Sequence, residues 1–157
     1  MRILVLSDCH NRLSGAKEAL DRENDATAVF YLGDGLDAMR ALLKDYPKLR
    51  LYAVAGNCDR CIDEPLYGIE KIGGHTIFYT HGHLYGVKSG SERLLEISRN
   101  LGADLCLYGH THIPDIDYRG GVILVNPGSV SLGRTSKNTY AVLDITPNGL
   151  IPSIKVL

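Results

Sequence analysis

The sequence predicts an α/β fold of two sheets packed face to face, with helices on the outside. Three observations predict it. Residues 3–55 alternate short apolar, β-rich runs with helical patterns, the rhythm of a parallel sheet with crossover helices. From residue 68 onward strand-like runs dominate, with one helical pattern among them. Each motif rich in His, Asp or Asn sits where an apolar run stops, and open α/β sheets place their sites beyond the carboxyl ends of strands.

The run Ile3-Leu4-Val5-Leu6 suits a strand buried on both faces. Residues 14–22 read as a helix, with Ser14 as N-cap and Ala16, Ala19 and Leu20 as its apolar side. A second strand over 28–32 ends at Gly33-Asp34. A second helix over 36–45 is stopped by Pro47, and a third strand over 49–55 ends at Gly56-Asn57. Strands over 68–72 and 76–80 flank Gly73-Gly74-His75, a hairpin signal that leaves His75 facing solvent. Residues 91–101 read as a helix with Leu94, Leu95, Ile97 and Leu101 inward, and 105–108 as a short strand ended by Gly109-His110. Two strands follow around Gly120-Gly121, and strands over 140–145 and 150–156 flank Pro147-Asn148-Gly149. The second half therefore reads as mostly a β-meander with one helix. No linker, repeat or low-complexity segment interrupts the pattern, so a single domain over 1–157 is expected.

A chain of 157 residues can bury a full core without staples. Its formal net charge of −1, with no basic block, argues against binding to extended nucleic acid, which relies on clustered Lys and Arg. A small phosphate ester stays within reach. The opening apolar run is too short for a signal or a membrane span, so no membrane partner and a cytoplasmic setting are expected. Cys9, Cys58, Cys61 and Cys106 form no disulfide framework in a chain of this size and are expected as reduced thiols.

Five of the six histidines fall in Asp8-Cys9-His10, Thr80-His81-Gly82-His83 and Gly109-His110-Thr111-His112. Asp8 and His10, two apart on an extended turn, can face one ion while Cys9 points away. Asp34 has two oxygens and can bridge two cations, and Asn57 offers a neutral carboxamide oxygen. Imidazoles from His81, His110 and His112 complete a mixed N/O set suited to Mn, Fe, Ni or Zn, whereas Mg or Ca favours oxygen alone. Two ions sharing a carboxylate clamp the attacking and leaving oxygens of an in-line phosphoryl displacement and need no Ser or Cys nucleophile.

In their order, Asp8-x-His10, Gly33-Asp34, Gly56-Asn57, His81-Gly82 and Gly109-His110-Thr111-His112 resemble the motifs of the calcineurin-like metallophosphoesterase family. Asn126-Pro127-Gly128-Ser129-Val130 resembles a loop of its small YfcE-type phosphodiesterase branch. The resemblance implies a four-layer α/β/β/α sandwich of two mixed sheets flanked by helices. It implies two divalent ions, manganese preferred, with Asp8, His10, Asp34 and His112 on the first and Asp34, Asn57, His81 and His110 on the second. The implied reaction is hydrolysis of phosphate esters, diesters preferred, by in-line attack of a hydroxide bridging the ions. Asp34, Asn57 and His110 are then the catalytic residues, and Asn57, Cys58 and His83 the substrate contacts. A homodimer through the exposed side of the β-rich half is implied as well. The alternatives are a phosphomonoesterase, or a catalytically silent scaffold like the retromer subunit that shares the fold. The intact set of seven ligand positions argues against the scaffold.

Many family members carry histidine after the Asn of the third motif, where Cys58 stands here. A neutral thiol is a poorer proton donor to a leaving alkoxide than an imidazolium, which favours diesters and good leaving groups. Other residues carry two readings each. His83 contacts phosphate, supports His81, or is a loop histidine. Cys58-Asp-Arg-Cys61 has the spacing of a redox pair but follows the third strand instead of opening the first helix. Asp37 and Asp59 are either carboxylates behind the metal ligands or surface acids, and Asn11 and Arg12 either touch phosphate or are solvated. Asn126 organises its turn and orients a ligand. Arg134 and Lys137 define a substrate rim or belong to a loop.

Overall fold

A computed structural model describes residues 1–60 and 63–157. The chain runs β1 (Arg2–Leu6), α1 (Ser14–Arg22), β2 (Ala28–Tyr31), α2 (Leu36–Leu43), β3 (Arg50–Ala53), β4 (Tyr67–Ile72) and β5 (His75–Thr80). A 3₁₀ turn over His83–Tyr85 leads to α3 (Glu92–Asn100). Then come β6 (Leu105–Leu107), β7 (Pro114–Arg119), β8 (Val122–Pro127), β9 (Thr139–Thr146) and β10 (Gly149–Val156). The strands form two mixed sheets of five, in orders β10-β9-β1-β2-β3 and β4-β5-β6-β8-β7.

Alternation along each strand builds the layers. In β1, Ile3 and Val5 face the second sheet while Leu4 and Leu6 face α1 and α2, and all four are fully buried. Between the sheets, Phe30 stacks on Tyr52 at 4.8 Å and meets the edge of Tyr79 at 4.9 Å. On the far side of the second sheet, Leu94 and Leu95 of α3 pack on Phe78, Cys106 and Leu124. The four layers expected from the sequence are thus present.

The second half differs from a meander. β5 pairs parallel with β6, and β6 parallel with β8, while β9 leaves this sheet to pair antiparallel with β1. The helix α3 between β5 and β6 acts as a crossover, which forces the parallel pairing. The hairpin turn is Gly73-Gly74 alone, with φ of 60° and 87°, because His75 pairs with Ile72. His75 is therefore a strand residue half-buried near Asp104, not a solvent-facing loop residue. Ser14 is the first helical residue of α1, and Leu13 occupies the cap position without a side-chain bond. α2 ends two residues earlier than its pattern suggested, and the ladder of β3 stops at Ala53. Cys61, half of the redox-like spacing, lies outside the described residues.

Parallel pairing sends the carboxyl ends of β1, β2 and β3 one way, and those of β5, β6 and β8 likewise. The facing sheets thereby gather Asp8, Asp34, Asn57, His81 and His110 at a single end. Replacing Phe30, which is fully buried between the sheets, by Ala should cost about 3–5 kcal/mol through lost burial and a cavity. Urea unfolding of the variant checks this; a loss under 1 kcal/mol would contradict the packing described.

Candidate metal centre

Among the described residues six other than glycine have positive φ: Asp8 (56°), His10 (45°), Asn11 (62°), Asp34 (60°), His110 (70°) and His112 (60°). Left-handed backbone costs an ordinary residue roughly 1–2 kcal/mol. Five of the six carry a carboxylate or imidazole that the sequence marked as a ligand, so the strain falls where strand ends turn side chains toward one point.

The side chains converge in two linked groups. Atoms of Asp8, His10 and His112 lie within 4.8 Å of one another, and so do atoms of Asp34, His81 and His110. His112 Nε2 is 3.1 Å from Asp8 Oδ1 and 3.2 Å from His10 Nε2. His81 Nε2 is 3.1 Å from His110 Nδ1 and 3.2 Å from Asn57 Oδ1. Asp34 joins the groups: its Oδ2 is 3.8 Å from His10 Nε2 and 3.6 Å from His81 Nε2. Its other oxygen accepts the Cys58 N–H at 2.8 Å, which leaves Oδ2 alone to face both sides.

This donor set fits divalent ions. His81 Nδ1 donates to the Leu32 carbonyl at 2.6 Å, and His112 Nδ1 to the Leu132 carbonyl at 2.8 Å. In the neutral rings each Nε2 therefore presents a lone pair inward, toward carboxylate and amide oxygens that are acceptors themselves. Asp8 Oδ1 is fully buried and receives no hydrogen bond while the His112 ring is neutral; only a proton on His112 Nε2, 3.1 Å away, supplies one. Only protons or cations relieve such facing acceptors, and the mixed N/O chemistry suits first-row transition ions.

Electrostatics agree. Burial pushes the Asp8 carboxyl up, but His112, His81 and the Ser7 hydroxyl outweigh it and hold it below the ordinary carboxylate value. Hydrogen bonding to Asp8 raises His112 despite its burial. Burial, with His81 and Lys88, pushes His110 down to about 4, so this ring is neutral at pH 7. Burial and the Asp34 carboxylate push the Cys58 thiol up to about 11, so it too is neutral.

Residues behind the cluster fix it. The Asp59 carboxylate accepts four backbone N–H groups, from Asp34 (2.8 Å), Gly35 (2.7 Å), Leu36 (2.9 Å) and Gly56 (2.8 Å). It thus caps α2 from another loop and ties the Asp34 turn to the Asn57 turn. Gly56 is confined by the same junction, because a Cβ there would stand 2.1 Å from Asp34 Oδ1. Asn126 Nδ2 donates to the Gly109 carbonyl and to Thr111 Oγ1, both at 3.0 Å, and so holds the His110–His112 turn. Ser129 and Ser131 hydroxyls donate to the carbonyls of Asp8 and Cys9 at 2.8 and 2.9 Å. The sequence leaves Asp59 undecided, marks Ser129 only as part of the Asn126–Val130 loop and does not mark Ser131. A carboxylate three residues past Gly56 is the signal for Asp59, whereas hydroxyl bonds that span 121 and 122 residues leave no local pattern.

The remaining candidates divide. Cys58 Sγ lies within the group formed with His10 and Asp34. The His83 ring is 5.3 Å from that of His81, with its Nδ1 buried and unbonded. A cleft of about 360 Å³ borders the cluster at His10, Asn11, Asp37, Cys58, Asp59 and Arg60. A second, of about 350 Å³, opens beside Thr111 and includes Arg134 but neither Arg12 nor Lys137. A third cleft of about 390 Å³, lined by Asp21, Glu23, Tyr46 and Leu49 among others, lies at the amino ends of β2 and β3, away from this chemistry.

Residues 1–148 match the model of the calcineurin-like phosphoesterase superfamily domain. The chain belongs to this superfamily. It is 32% identical over 152 residues to a probable metallophosphoesterase, YsnB, of Bacillus subtilis, covering 92% of this chain and 85% of that one. It is 30% identical over 171 residues to the phosphodiesterase YfcE of Escherichia coli, covering 92% and 88%. A Vps29 of Entamoeba histolytica, solved with Zn²⁺, shares the fold with a TM-score of 0.76 at 24% identity, covering 100% and 98%. The superfamily implies divalent metal cofactors, and the two groups above are the candidate ligands. Among the described residues no helix is long and apolar enough to cross a membrane.

Two outcomes are expected. Asp59→Ala should lower stability by roughly 2–3 kcal/mol at pH 7, the worth of hydrogen bonds to a charged acceptor. Four N–H bonds outweigh burial and hold this carboxyl below its ordinary 3.8. Its contribution is therefore complete above that pH and lost only as pH falls through the folded value. Chemical unfolding at pH 7 and pH 3 checks both points; a variant as stable as the parent at pH 7 would contradict them. In the metal-free protein, raised His112 stabilises the fold below its ordinary 6.5 and loses that contribution as pH rises through its folded value. A metal ion must displace that proton, so manganese affinity should increase from pH 6 to pH 8 in equilibrium dialysis. Affinity independent of pH would speak against His112 as a ligand.

Proposed function

We propose that this chain is a binuclear, metal-dependent phosphodiesterase acting on small phosphate esters, with residues 1–157 forming one domain. The observation that carries the reading is the position of Asp34 Oδ2 between the His10 side and the His81 side, with its partner oxygen already engaged. On this reading Asp8, His10, Asp34 and His112 hold the first ion, and Asp34, Asn57, His81 and His110 the second. Such a pair supplies Lewis acidity toward phosphoryl oxygens and a water acidic enough to attack at neutral pH. Manganese is the preferred ion, with Fe, Ni or Zn as substitutes the same ligands accept.

The chain's own residues do the rest. Neutral His110, with its low pKa, keeps a lone pair available at pH 7. Exposed Asn57 directs Oδ1 toward His81 and donates through Nδ2 to Cys58 Sγ, which places its amide at the cleft. His83, lowered by burial and by His81, offers a neutral ring to a phosphoryl oxygen. Cys58 stays protonated but is a weak acid, so leaving groups that depart without help are favoured. Two clefts beside one cluster support a substrate with two ester arms over a monoester.

Free thiols at Cys9, Cys58 and Cys106 suit a reducing, cytoplasmic setting. A homodimer would cover Tyr67 and Ile69 on the edge strand β4, which are 55% and 44% exposed. A silent scaffold of the Vps29 fold is the other reading, and the convergence of all seven side chains favours the enzyme.

Metal-stripped protein titrated with manganese should hydrolyse bis(4-nitrophenyl) phosphate well above 4-nitrophenyl phosphate, and Asp34→Ala should abolish both. Failure to hydrolyse either ester with any divalent ion, despite metal binding, would favour the scaffold. Cys58→His should shift selectivity toward the monoester, and unchanged selectivity would remove the role given to the thiol.

A further inference from the structure

The cleft beside Thr111 has a distinct chemical character. Val87 and Tyr108 form a buried apolar floor, 6% and 5% exposed, while Ile113 stands 49% exposed at the rim. Lys88 and Arg134 line the same cleft, and Asp115 is the one carboxylate among its lining residues. Neither cationic side chain makes a hydrogen bond or an ion pair with a described residue. Thr111, which lines the cleft, stands between His110 and His112 in the chain. The Arg134 segment is tied to this turn: its N–H donates to the His112 carbonyl at 3.1 Å, and His112 Nδ1 donates to the Leu132 carbonyl. A guanidinium and an ammonium thus line a cleft that borders the His110–His112 turn, with their binding capacity unspent. The cleft at His10 differs. There Arg60 shares the lining with Asp37 and Asp59, and the Asp59 carboxylate is consumed by four backbone N–H groups.

We propose that the Thr111 cleft receives one ester arm of the substrate, that this arm has an apolar body bearing its own anionic group, and that Lys88 and Arg134 select it. The inference rests on the diesterase reading and narrows its substrate class. The apolar part packs on Val87, Tyr108 and Ile113, and the second anion meets Lys88 and Arg134. Both cations are exposed, so each adds only a modest gain that salt erodes. The selection is uniform binding, and it shows in KM rather than kcat.

Two diesters with one leaving group test this: 4-nitrophenyl 4-carboxyphenyl phosphate and 4-nitrophenyl phenyl phosphate. The manganese-loaded protein should prefer the carboxylated diester by about five- to tenfold in kcat/KM, through KM, with the preference shrinking in 0.5 M salt. Lys88→Gln with Arg134→Gln should bring that ratio close to one, and Asp115→Asn should raise it. Calorimetric titration with 4-carboxyphenyl phosphate against phenyl phosphate should show the same order of affinity without turnover. A parent protein with no preference, or a preference that survives the double substitution, overturns the inference and leaves the diesterase intact. Turnover of neither diester with any divalent ion overturns the diesterase reading and this inference together.

Discussion

Burial of the Asp8 and Asp34 carboxylates, 0% and 2% exposed, is the constraint around which the rest of this molecule is arranged. A buried charge is tolerable only when it is paired, and partners must be close because the interior screens poorly. Among the partners are two imidazoles, His81 and His112, whose outer nitrogens are already committed to main-chain carbonyls. Their inner nitrogens consequently face the carboxylates as acceptors. An arrangement of acceptors against acceptors is unstable by itself and becomes favourable when cations occupy it. The same feature that strains the protein without metal would make the site a binder of cations.

Holding that arrangement requires rigid supports on both sides. Parallel strands deliver the ligand turns to one end of the sandwich, but left-handed residues at the strand ends must then be kept in place. Asp59 secures the Asp34 and Asn57 turns through four N–H groups. Asn126, Ser129 and Ser131 secure the His110 and Asp8 turns from the loop after β8. Tyr31 adds a support from below, donating from its buried hydroxyl to the Asp34 carbonyl at 2.8 Å. Each ligand turn is therefore held by hydrogen bonds from outside its own segment, which suits a centre whose geometry must not drift.

The candidate ligands were legible in the sequence because chemistry that needs imidazole and carboxylate at strand ends leaves few substitutes. Asp8, His10, Asp34, Asn57, His81, His110 and His112 stand together as their motifs suggested. The layer architecture was legible too, since the alternation in Ile3-Leu4-Val5-Leu6 and in 28–32 marks strands buried on two faces. The path of the second half was not. Local pattern shows that 76–80 and 105–108 are strands, but parallel pairing depends on where α3 packs, which is a long-range outcome. The Asp59 cap escaped for a related reason: a carboxylate that caps a helix 23 residues earlier in the chain leaves no local signature. Ser14 was placed at the cap by residue type, yet Leu13 occupies that position, and packing of the helix decided its start.

The proposed centre holds two cations that share Asp34. Metal content after saturation with manganese and removal of excess by dialysis tests it most directly. Two ions per chain are expected in the parent, and a loss of both from Asp34→Asn, because each group relies on that carboxylate. A single ion in the parent, or equal content in parent and variant, would contradict it.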